Sequence, residues 1–72
     1  MNSEVSLRWV FEDKAISIEG VKFILKNSGI PGGRVDFIVC SIEKKAQEEG
    51  ESSLVILSGS DEITVKCQEV KA

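Results

Sequence analysis

Histidine and tyrosine are absent from this chain, and proline occurs once, at Pro31. Without histidine, acid–base chemistry near neutral pH falls to a carboxylate, lysine or cysteine with a displaced pKa. Cysteine is scarce as well, limited to Cys40 and Cys67. A thiol nucleophile usually relies on a neighbouring base, and these two sit in apolar or alternating stretches without the cationic surroundings that lower a thiol pKa. Two cysteines without a histidine are not a zinc signature, and the acidic residues lack calcium-loop spacing. The expectation is a protein that is not an enzyme and holds no metal and no cofactor.

Long hydrophobic runs are missing too. The longest are short, such as Phe37-Ile38-Val39-Cys40 and Leu54 to Leu57. A membrane-crossing helix needs about 20 apolar residues, so no membrane association is expected. Met1-Asn2-Ser3-Glu4 has no basic region leading into an apolar stretch, so the expectation is a cytoplasmic chain, or one trimmed at its start. Nine basic and twelve acidic residues give a net charge of −3. Neither sign is gathered into a patch, which disfavours nucleic acid as a partner. A disulfide-stapled secreted domain of this size usually carries four or more cysteines. Two free, buried thiols packing as small hydrophobes are favoured over a bridge.

What is present is ordinary globular material: 72 residues, 42% hydrophobic and 29% charged, enough for one domain. A chain this short buries only about 60% of its unfolded surface. Its core is thin and leaves no room for a deep pocket. Function should therefore lie on a surface, an edge or a loop.

Val5, Leu7, Trp9 and Phe11 alternate with Ser6, Arg8 and Val10, the period-2 pattern of a half-buried strand. Glu12-Asp13-Lys14 reads as a tight polar turn. Ile16 and Ile18 suggest a second short strand, and Gly20 then shifts the apolar phase to Val21, Phe23 and Leu25, as a β-bulge or strand break would. Asn27-Ser28-Gly29-Ile30-Pro31-Gly32-Gly33 is the clearest loop. Residues 34 to 49 are ambiguous. Arg34 to Ile42 has the β-branched and aromatic content of a strand. Yet Val35, Ile38, Val39, Ile42 and Ala46 also fall on one helical stripe, with Gly50 suited to a helix stop. The helical reading leaves Phe37 and Cys40 off that stripe, and the strand reading is preferred. Leu54 to Leu57, the turn Ser58-Gly59-Ser60-Asp61 and the alternating Ile63, Val65 and Cys67 make a β-hairpin.

Three stretches together resemble the small immunoglobulin-like modules of many prokaryotic proteins, including the cell-adhesion-related type. They are Ser17 to Gly29, which resembles the second strand of such modules, Arg34 to Val39, which resembles the next, and Leu57 to Val65, which resembles the turn into a late strand. The resemblance implies a β-sandwich that binds or spaces other parts and has no shared catalytic residues. The chain is shorter than the usual ~100 residues of such a sandwich.

The expected fold is all-β, a small antiparallel sandwich or open barrel of about five or six strands. The alternative is α+β, two hairpins forming one sheet with a helix at about 34–49. The expected function is a non-enzymatic binding or assembly module acting through a sheet edge or a loop, with a protein partner or self-association. The candidate binding loop is Asn27, Gly29, Pro31, Gly32, Gly33 and Arg34. Trp9 is read as core first and as an interface residue second. The alternative function is a small regulator that binds nucleic acid or a phosphorylated ligand through Arg8, Lys22, Lys26 and Arg34.

Overall fold

The computed structural model describes residues 5–71. In chain order the elements are β1 (Val5–Phe11), β2 (Lys14–Ile16), α1 (Ile18–Asn27), α2 (Gly32–Glu49), β3 (Glu51–Ser58) and β4 (Asp61–Lys71). One antiparallel sheet, in the order β2-β1-β4-β3, is covered on one face by the two helices. This is an α+β fold, and it overturns the all-β expectation of a sandwich or barrel. The α+β alternative is nearer. Its two hairpins in one sheet and its helix at 34–49 are present, but it lacks α1.

The first hairpin turns at Glu12 and Asp13, whose φ angles are 52° and 65°. Two successive left-handed residues match the strand twist in a two-residue hairpin. Ser17 then ends β2's course. Its hydroxyl oxygen accepts the Gly20 N–H at 3.1 Å, capping α1, and Glu19 lies in the first turn, where a negative charge suits the helix dipole. The expected strand from Ile16 to Leu25, with a bulge at Gly20, is thus a helix from Ile18 onward. The Val21, Phe23, Leu25 alternation misleads because Val21 and Leu25 are also one helical turn apart. Both are buried, while Phe23 is 64% exposed. Full burial of a side chain such as Leu25 stabilises by about 1.5–3 kcal/mol.

The segment expected as a loop is a tight helix–helix turn. Gly29 takes φ 94°. The Ile30 N–H donates to the Leu25 carbonyl at 3.2 Å, and the Gly29 N–H to that of Lys26 at 3.2 Å. This is the Schellman closure of α1, and it needs a left-handed residue where glycine stands. Pro31 is the N-cap of α2, with Gly32 and Gly33 already helical. Val35, Val39, Ile42 and Ala46 form α2's buried stripe, whereas Phe37 is 72% exposed and Cys40 is exposed. The strand reading of Arg34 to Ile42 is therefore replaced by helix. The two residues off the stripe simply face outward. Gly50, at φ 93°, stops α2 and leads directly into β3.

The core joins Trp9, Val65, Cys67 and Ile56 from the sheet to Val21, Leu25 and α2's stripe. The Trp9 indole N–H donates to the Glu43 carboxylate at 3.2 Å, tying β1 to α2. Lys22 and Asp36 link the helices at 3.0 Å, an exposed pair worth well under about 1 kcal/mol.

Candidate functional site

The sheet's outer strand, β3, has the sequence Glu51-Ser52-Ser53-Leu54-Val55-Ile56-Leu57-Ser58. Only β4 pairs with it among the described residues. Which of its backbone groups are free follows from one hydrogen bond. The Glu69 N–H donates to the Gly50 carbonyl at 2.8 Å, in continuation of the register Glu51 opposite Gln68. Bonded positions alternate along an antiparallel ladder. Ser52, Leu54 and Ile56 therefore turn their N–H and C=O toward β4. Glu51, Ser53, Val55 and Leu57 turn theirs outward, to an edge with no strand beside it.

The side chains divide the same way. Ile56 is buried beneath the helices and Leu54 half-buried. Val55 and Leu57 lie on the opposite face of the sheet, 52% and 74% exposed. Among the described residues no helix covers that face. It carries Val10 and Ala15, with Arg8, Glu51, Glu62 and Lys66 among them. On the helical side of the same edge an open hollow of about 490 Å³ is lined by Ser41, Ile42, Lys45, Glu49 and Glu51 to Ser53. No side chain with Lys, Arg or Pro chemistry, and no glycine, interrupts β3. Natural edges are usually blunted by such residues.

A second opening lies on the inner side of β4. β1 ends at Phe11, opposite Val65, so Asp61 to Thr64 extend beyond it with only β3 alongside. The resulting hollow, about 620 Å³, is lined by Glu12, Asp13, Asp61, Glu62 and Lys66 with Val10, Phe11, Ile63 and Thr64. Among the described residues no group of three or more His, Cys, Asp or Glu side chains is arranged to hold a metal ion. No helix among them is long and apolar enough to cross a membrane.

The six candidate loop residues lie together in one helix–helix turn, away from Trp9 and Arg8. Asn27 ends α1, Gly29 closes it, and Pro31, Gly32, Gly33 and Arg34 open α2. The Gly29 N–H is used in closing α1, and the Arg34 N–H donates to the Pro31 carbonyl at 2.8 Å. Trp9 is 5% exposed, covered by the chain's own helices. Lys22 and Lys26 are on α1 and Arg34 is at the start of α2, while Arg8 is on the sheet face turned away from the helices. These four cations do not converge. Cys67 is buried as expected, but Cys40 is exposed on α2, contrary to the expectation of two buried thiols, and both are free. Burial, and then the nearby charge of Glu43, push the Cys67 thiol up to about 11, so it is no nucleophile near neutral pH. The edge at β3 escaped residue-by-residue reading because edge position is a property of strand order. Its one sequence signal is an apolar strand lacking lysine and proline.

In comparisons with known proteins, no family model, no curated protein and no solved structure matches this chain.

Proposed function

We propose that this protein is a non-enzymatic binding or assembly module whose working surface is the outer edge of β3. The observation that carries this reading is the outward-facing backbone of Ser53, Val55 and Leu57 beside two exposed apolar side chains. An added strand would satisfy those groups and cover Val55 and Leu57, as in β-strand addition. The thinness of a core built on 72 residues makes such added pairing worthwhile for stability.

The test is the size of the tagged protein in cell extract, measured by sedimentation for the wild type and for Val55→Pro. Proline at Val55 deletes an outward N–H and leaves the bonds to β4 intact, which edge strands tolerate. The wild type should sediment above its own mass in extract, or as concentrated purified chain where the contact is weak, and the variant at its own mass. Equal sedimentation of the two under both conditions would remove the reading. The regulator reading through Arg8, Lys22, Lys26 and Arg34 lacks support in their placement. Salt-sensitive oligonucleotide binding at low ionic strength would restore it.

A further inference from the structure

We propose that the strand received at this edge is β3 of a second copy, paired antiparallel about a two-fold axis at Val55, so that two four-stranded sheets become one continuous sheet. This rests on the edge reading above and adds the partner, direction and register.

The backbone phase permits it. Val55 faces outward, so at a two-fold axis it can exchange both main-chain bonds with Val55 of the second copy. Ser53 then meets Leu57 of the second copy, whose own groups also face outward, and Leu57 meets Ser53. Moving the axis by one residue, a slip of two in the pairing, would place Leu54 or Ile56 on it, where the central pair makes no main-chain bonds. With Ile56 there, Ser53 falls opposite Gly59, which lies outside the strand at φ 63°. With Leu54 there, the exposed Leu57 falls opposite the Glu51 carboxylate.

The side chains agree. With Val55 on the axis, Val55 packs on Val55 on the open face, and Leu54 meets Ile56 on the helical face. Such direct cross-strand apolar pairs are the stabilising unit of a sheet. Charge decides the direction. Glu51 is the one charged side chain of β3 and stands at its end. Parallel, in-register pairing would set the two Glu51 carboxylates side by side at about 4.8 Å, and antiparallel pairing moves them to opposite ends. Within the sheet, Glu62 adjoins Leu57 and Lys66 adjoins Ser53. Each row across the antiparallel junction therefore runs Glu62, Leu57, Ser53 of the second copy, Lys66 of the second copy. Opposite charges close both ends of the row, and no like charges face each other. The same strand thus supplies both halves of the match, which is the self-complementarity a two-fold interface requires.

A contact made by one strand edge is small, below about 1,200 Å² in total, so the dimer is a weak one, to be sought at chain concentrations on the order of 0.1–1 mM. Sedimentation equilibrium of the purified chain should show a monomer–dimer equilibrium. Val55→Pro and Leu57→Lys should each weaken it at least tenfold while circular dichroism and melting stay native. Leu57 is so exposed that the lysine variant folds even if the proline variant does not. A wild type that remains monomeric through 1 mM, or a dimer indifferent to Leu57→Lys, overturns the self-pairing. If the purified chain is monomeric but Val55→Pro still reduces its size in extract, another strand occupies the edge and only the proposed partner is wrong. If neither changes, edge binding falls too.

Discussion

At one side of the sheet stands β2, three residues long, beginning with Lys14 and bound to α1 through the Ser17 cap. It shields only Trp9 to Phe11 of β1, and the rest of that side, Val5 to Arg8, runs beside it as a step. At the other side stands β3, eight residues long, with Leu54 to Leu57 in an unbroken apolar run. The two sides of one sheet share a core and a solvent, yet only the first carries the short length and the lysine that discourage strand addition. An unguarded edge in so small a domain is a liability unless something pairs with it. The difference between the sides is what favours β3 as the contact surface proposed above.

The largest effect that sharpens this contrast separates the two phases of β3 itself. Ile56→Pro removes a bond to Ile63 and should cost about 3 kcal/mol or more in urea unfolding, whereas Val55→Pro should cost under about 1 kcal/mol. The reverse order would show that the outward and inward positions are exchanged. Next comes the interior between the edges. The Cys67 thiol is raised from near 9.0 to about 11 in the folded chain, by burial first and by Glu43 second. Protons are then lost from the unfolded state first as pH rises. Stability is unaffected by this group below pH 9 and falls between about pH 9 and 11, by up to roughly 2–3 kcal/mol. Cys67→Ala should abolish that fall, and a fall unchanged in the variant would assign it elsewhere. In the native chain at pH 8, a maleimide should label Cys40 and spare Cys67.

Trp9→Phe deletes the indole bond to Glu43 while keeping most of the apolar surface, and thermal melting should report a loss of about 1 kcal/mol beyond the lost area. The smallest expected effect is on the guarded side. Lys14→Val takes away its charge, but three residues offer little to pair with. Self-association measured by light scattering should rise no more than about twofold. A rise comparable with the β3 effect would mean that charge, and not length, keeps that side monomeric.

The strands were legible at 5–11 and 63–67 from their alternation, with Leu7, Trp9, Val65 and Cys67 turned inward and Arg8, Lys66 and Gln68 out, and at 54–57 from its apolar run before a turn, though the hairpin runs further, over 51–71. The helix over 34–49 was half-legible. Its stripe was visible, and the exposed Phe37 and Cys40 argued against it only on the assumption that large apolar residues go inside. The helix at 18–27 was obscured by Phe23 in the same way, although Ser17 before it and Gly29 after it are the cap residues of a helix. Of the candidate site, the sequence suggested a sheet edge or a loop without naming a strand. The glycine loop joins two helices, and no residue-level signal indicated which strand would be outermost.

Residue type and local spacing suffice for the scarcity of histidine and cysteine, the C-terminal hairpin with its turn, and a stripe able to bury α2. Tertiary structure alone decided that Val21 and Leu25 are helical neighbours rather than strand neighbours, that β4 inserts beside β1, and that β3 is left outermost with Val55 and Leu57 uncovered. The reason is that strand order and facing are set by which apolar faces cover one another. That competition is settled among elements far apart in the chain, where local periodicity carries no information.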